Sequence, residues 1–137
     1  MSKFSGLELG VDEPFRLVLV HPVTRQPMRD SAGNEAYIEH YSSDSEIAKK
    51  YQRAVQRRRL AMRGRAKITP EELEAEGVEL LAALTSGWHL VDLKGNKIDL
   101  PFSQENAREL YTNPAVGWLR EQVDESTADR ANLSQGS

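Results

Sequence analysis

Residues 87–111, GWHLVDLKGNKIDLPFSQENARELY, contain a strand pattern that gives way within a few residues to a helix start. HLVDL (89–93) and KIDLPF (97–102) are short β-prone runs on either side of Lys94, Gly95 and Asn96, which is a strong hairpin signal. Pro101 has no N–H to give to a ladder, so the second run belongs at an edge or near a strand end. Ser103 then offers a helix N-cap and Glu105 places a carboxylate at the positive end of that helix. Asn113 and Pro114 stop it and start another. The stretch specifies structure clearly, yet it holds no obvious nucleophile, phosphate loop or set of metal ligands.

Working outward, residues 15–20 (FRLVLV) lie between Pro14 and Pro22 and read as a bounded strand. Phe15, Leu17 and Leu19 share one face, while Val18 and Val20 make the other apolar, as in a strand covered on both sides. Its natural partner is residues 36–41 (AYIEHY), reached through the turn-forming DSAGN of residues 30–34, so a long N-terminal hairpin is expected. Ser43 and Glu46 have capping-box spacing, predicting a helix over 44–64. On it Ile47, Tyr51, Ala54, Val55 and Met62 cluster on one side and Lys49, Lys50, Arg53 and Arg57 on the other. Arg58 breaks the apolar stripe and Leu60 breaks the basic one.

Thr69 and Glu72 form a second capping box, with Pro70 at the first helical position. Leu73, Leu80, Leu81 and Leu84 line one face of that helix, Gly77 interrupts it at a cost of about 1 kcal/mol relative to Ala, and Gly87 is its expected end. Val116, Trp118, Leu119 and Val123 form the stripe of the last helix. The chain therefore reads as α+β: an N-terminal β-hairpin and a second short β-hairpin packed with four helices, the C-terminal half mainly helical. One domain is expected over residues 1–130, made of a hairpin region (1–42), a helical pair (43–86) and a hairpin with two helices (87–130). Residues 131–137 read as a flexible tail.

The length of 137 residues suits one ordinary domain, and 39% apolar with 28% charged residues is enough to build a core. The absence of cysteine excludes disulfides and thiolate metal sites and fits a reducing compartment. With no signal-like run and no apolar stretch of membrane-spanning length, a soluble intracellular protein is expected. The net charge of −3 conceals a split: residues 43–68 carry nine basic and two acidic groups, residues 69–137 five and thirteen.

His21, His40 and His89 lack metal-ligand spacing, and no GxSxG, SxxK, GxGxxG or P-loop occurs, so no catalytic, cofactor-binding or metal residue is assigned. Asp92 and Asp99 flank the turn as ordinary solvent-side polar residues. The basic helix is the remaining candidate. Lys49, Lys50, Arg53, Arg57, Leu60 and Arg63 form a candidate partner-binding surface, and with Arg59 the cations could contact phosphates in a salt-dependent way. The plainer reading is a solvated face neutralised by Glu71, Glu72, Glu74, Glu76 and Glu79 on the next helix, packed antiparallel. The acidic overall balance and the lack of stacking aromatics in the segment count against nucleic acid.

The residues WHLVDLKGN (88–96), IDLPF (98–102), Glu105, Asn106 and Ala107, then Asn113, Pro114 and WLREQVD (118–124), with DRANL (129–133), occur in an order that resembles a tail assembly chaperone of proteobacterial long-tailed (siphovirus-type) phages and prophages. The N-terminal strand and the basic helix fit more loosely. The resemblance implies a non-catalytic protein without cofactor, acting in the host bacterial cytoplasm and absent from the mature virion. It would bind the tape measure protein and help recruit tail tube subunits, with self-association a further option. Members are often made in short and long forms by a frameshift near the end of the gene. Such a protein needs reusable contact surfaces, and here the basic face comes first and the edge of the 88–102 hairpin second. The alternatives are a structural virion protein, such as a tail-completion or connector subunit, and a small nucleic-acid-binding regulator using the basic helix.

Overall fold

A computed structural model describes residues 3–62 and 68–136. Strands β1 (Phe15–Val18), β2 (Tyr37–His40) and β3 (Thr85–His89) form an antiparallel sheet in the order β1-β2-β3. Helices α1 (Glu46–Met62), α2 (Pro70–Leu84), α3 (Gln104–Thr112) and α4 (Gly117–Ala128) complete an α+β fold. Register puts Leu17, Ile38 and Trp88 side by side, and Arg16, Glu39 and Gly87 beside them. Directly opposed residues share a face, so Leu17 and Ile38 point into the core while Arg16 and Glu39 point away. Ile38 is fully buried, whereas the Arg16 guanidinium lies 3.9 Å from the centre of the Tyr37 ring and 3.8 Å from the Glu39 carboxylate. The sheet is thus covered on one face and half-solvated on the other, unlike the doubly covered strand that Val18 and Val20 suggested.

The core joins all three regions of the chain. Leu19, Met28, Ala36 and Ile38 from the hairpin pack with Val78, Leu81 and Ala82 of α2, Leu90 and Val91 after β3, Ala107 and Tyr111 of α3, and Leu119 and Val123 of α4. Two buried hydrogen-bonded sets tie these layers together. The Thr85 hydroxyl donates to the Leu81 carbonyl at 2.8 Å and accepts from the Tyr111 hydroxyl at 2.7 Å, and burial pushes the Tyr111 phenol up to about 12. His40 Nδ1 donates to the Tyr41 carbonyl at 3.1 Å and Nε2 accepts from the Ser126 hydroxyl at 2.7 Å, because a carbonyl can only accept. No buried side-chain nitrogen or oxygen among the described residues lacks a partner.

Three boundaries differ from the sequence reading. α2 ends at Leu84 and not at Gly87, since the Leu84 carbonyl accepts from the Tyr41 N–H at 2.7 Å and the chain then enters the sheet. Gly87 lies within β3, opposite Glu39. The expected second hairpin keeps its turn, with Gly95 at φ 91° and the Asp92 carboxylate accepting from the Lys94 and Asn96 N–H groups, but a single bridge between Val91 and Lys97 closes it. Its first strand has moved upstream and pairs with β2 instead. Lastly, residues 130–136 are not a loose tail up to Leu133: they form a 3₁₀ helix in which Leu133 is buried and the Asn132 amide donates to the Ser126 carbonyl and hydroxyl.

Candidate interaction surface

The start of α1 is set two residues later than the Ser43 capping box implied. The Ser43 N–H is committed to the Thr127 carbonyl at 2.9 Å, and the Asp44 carboxylate to Arg130 at 2.8 Å. Ser45, fully buried, takes the capping role, its hydroxyl accepting from the Ala48 N–H at 3.3 Å, while Asp12 accepts from the Glu46 N–H at 2.8 Å. From there 17 helical residues bury only Ala48 and Val55, with Tyr51 half-buried and its hydroxyl donating to the Glu76 carbonyl. Ala54, Ile47 and Met62, expected on the buried stripe, are exposed. Burial raises the Tyr51 phenol above its ordinary value, while a hydrogen bond from Arg58 opposes the shift. Arg58, the cation that broke the apolar stripe, is therefore the polar neighbour of the tyrosine.

At about 100° per residue, Lys49, Leu60, Arg53, Arg57 and Lys50 fall within one stripe of about 100°, diametrically away from Val55. The structure keeps all five exposed, and Leu60 shows 71% of its surface. Arg63, the remaining candidate, lies outside the described residues. The expected neutralisation by α2 is small. Among the described residues, Glu76 is the one of its five glutamates that forms an ion pair with α1, to Arg59 at 2.6 Å. Glu79 turns to Arg108 of α3 at 3.6 Å and Glu74 to Arg120 of α4. On the outer stripe Arg53 pairs with Glu46 at 2.6 Å, whereas Lys49, Lys50 and Arg57 have no ion pair among the described residues. The result is a cationic strip with one exposed leucine at its C-terminal end.

The second surface proposed from sequence, the hairpin edge, is partly used by the chain itself. The Trp88 indole N–H donates to the Leu100 carbonyl at 2.8 Å and its ring meets Phe102 edge-on at 5.2 Å, strapping residues 100–102 against β3. At the other sheet edge the Gln122 side-chain amide accepts from the Val20 N–H at 2.9 Å and donates to its carbonyl at 2.7 Å, as a neighbouring strand would.

Sequence reading missed an open groove of about 790 Å³ between α2 and α3. Glu71, Glu74, Ala75, Val78 and Glu79 line it at helical spacing on α2, with Arg108, Glu109 and Thr112 on α3. The spacing of the α2 residues was readable, but the neighbour that turns a helix face into a groove was not. The three histidines serve structural hydrogen bonds, His40 as described above, His89 with Asp30 at 2.9 Å, and His21 accepting from the Val23 and Thr24 N–H groups at 3.1 and 3.3 Å. The His89 bond, followed by the Asn34 N–H, holds the Asp30 carboxyl below its ordinary value. Among the described residues no group of three or more His, Cys, Asp or Glu could hold a metal ion, and no helix is long and apolar enough to cross a membrane. No protein-family model, curated protein or solved structure matches the chain.

Proposed function

We propose that the protein is a tail assembly chaperone of a long-tailed phage or prophage, which binds the tape measure protein and helps recruit tail tube subunits in the host cytoplasm without remaining in the mature virion. The observation that carries the reading is the outer face of α1: Lys49, Lys50, Arg53, Arg57 and Leu60 are exposed on a helix that buries two side chains, and among the described residues no α2 carboxylate pairs with that face. A helix with so little internal packing is suited to holding a second helix by its apolar anchor and charged rim. The C-terminal resemblance supplies the identity of that helix, and a contact made mainly by charged side chains with one leucine suits a partner that must later be released.

Co-expression with the tape measure protein encoded alongside it tests this reading. Soluble yield of the latter should rise and the two should co-purify, and Lys49→Glu/Arg53→Glu/Arg57→Glu should abolish both while leaving the circular dichroism spectrum unchanged. Unaltered solubility with the wild-type chain would sink the proposal. That Lys49, Lys50 and Arg57 have no ion pair among the described residues also favours a second reading as a nucleic-acid binder, in which affinity for duplex DNA would fall steeply with salt; a titration that finds no binding at low ionic strength removes it.

A further inference from the structure

We infer that the free edge of β1 accepts an extended peptide as a fourth, antiparallel strand, and that the segment it fits alternates basic residues with apolar ones. The main-chain N–H and C=O groups of successive residues in a strand point to opposite sides. The Leu19 N–H bonds to the Ala36 carbonyl at 2.9 Å, so those of Arg16, Val18 and Val20 face away from β2. Val20 spends both of its groups on the Gln122 side-chain amide, at 2.9 and 2.7 Å. Among the described residues nothing does the same for Arg16 and Val18, and beside them an open groove of about 590 Å³ separates β1 from the end of α4. Gln122 occupies the place of a strand at one end of an edge whose remainder is open. At the opposite edge of the sheet, residues 100–102 are already strapped to β3 through Trp88.

The walls of the groove select the occupant. α4 runs antiparallel to β1, since Gln122 meets Val20 while Ser126 meets His40, the partner of Phe15. That direction brings Glu125 and Asp129 alongside the open stretch, and neither carboxylate has an ion pair among the described residues. The two are one helical turn apart, about 6 Å, which is close to the roughly 6.7 Å between alternate side chains of a strand. Two lysines at i and i+2 of the added strand therefore face the two carboxylates while their stems cover the half-buried Phe15 and Leu17. The residue between them lies on the other face, beside Val18 and the stem of Arg16, where an apolar side chain fits. Of the groove's own cations, Arg16 is paired with Glu39 and Arg25 belongs to the turn beyond Val20.

The main-chain bonds come from two residues of β1, so the association is weak, with specificity supplied by the side chains on either face. The site lies apart from α1 and does not rest on the chaperone reading. The probe is a short acetylated and amidated peptide in which lysine and valine alternate. Titrated into the isotope-labelled full chain, it should shift the Arg16 and Val18 amide signals saturably in NMR spectra and slow their hydrogen exchange. N-methylation of its valines, whose N–H groups face β1 in an antiparallel pairing, should abolish binding, whereas N-methylation of its lysines, whose N–H groups face away, should leave binding in place. Glu125→Lys, at an exposed position, should weaken binding about tenfold or more, and a peptide with glutamate in place of lysine should prefer that variant to the wild-type chain. Equal loss from the two N-methylated peptides would reduce the contact to charge attraction and overturn the inference. So would Arg16 and Val18 signals that do not respond to the peptide, or that shift with protein concentration in its absence, which would seat a second copy there.

Discussion

His40 closes β2 with its ring buried, and its two nitrogens are spent on the Tyr41 carbonyl and the Ser126 hydroxyl. Ser126 accepts in turn from the Asn132 amide at 2.9 Å, so a chain of neutral donors and acceptors runs from the C-terminal 3₁₀ helix to the sheet. A proton on Nε2 would face a hydroxyl that already donates to it. Burial accordingly holds His40 below its ordinary value of 6.5, partly offset by the Tyr41 carbonyl. The unfolded chain therefore binds that proton more readily than the folded one. The stability that neutral His40 contributes is complete above the unfolded value and is lost as pH falls toward the lower folded value. The thermal midpoint should decline between about pH 7 and pH 5, and His40→Gln should flatten the decline. Equal slopes in the two proteins would assign the linked proton to another group.

At the scale of elements, α1 separates a capping signal from a cap. Ser43 has the right spacing to Glu46, but its N–H belongs to Thr127, and Ser45 holds the Ala48 N–H in its place. Ser45→Ala should lower stability in urea unfolding by about 0.5–2 kcal/mol, the usual cost of a lost cap, and Ser43→Ala by less than about 0.5 kcal/mol; the reverse order would restore the sequence-derived capping box. The contrast with α2 shows what was legible. Thr69 accepts from the Glu72 N–H at 3.1 Å with Pro70 in the first turn, as its local sequence states, because nothing distant competes for those groups. Ser103 likewise caps α3 through the Asn106 N–H. β3 was misplaced because its pairing is with β2, some 47 residues away in the Ser86–Glu39 hydrogen bond, and Gly87 carries an equally good local signal for ending a helix. The basic face of α1 could be read from periodicity. Which carboxylates would leave it unneutralised could not, since Arg108 and Arg120, which draw Glu79 and Glu74 aside, arrive from helices later in the chain. Gly77 belongs to the same arrangement: a Cβ there would sit 3.2 Å from the Arg120 guanidinium, so the gap in α2 admits the side chain that binds Glu74.

At the scale of the whole molecule, the beginning and the end of the described chain are held to one another through the middle. Asp12 supports the start of α1, Arg130 grips Asp44 just before it, and Gln122 completes the hydrogen bonding of Val20 at the edge of the sheet. The last turn is part of this closure, because Leu133 is 4% exposed and Asn132 satisfies Ser126 beneath His40. Removing residues 130–137 should then behave as a core deletion and not as the trimming of a loose end. Burial of one leucine is worth about 1.5–3 kcal/mol and each net hydrogen bond about 1 kcal/mol, while the exposed Arg130–Asp44 pair adds little. A chain ending at Asp129 should therefore lose about 3.5–5 kcal/mol in urea unfolding. It should also show a shallower loss of stability on acidification, because water that reaches Ser126 relieves the burial that holds His40 below its ordinary value. A truncated chain with an unchanged urea midpoint would mean that residues 130–136 rest on the surface without contributing to the fold.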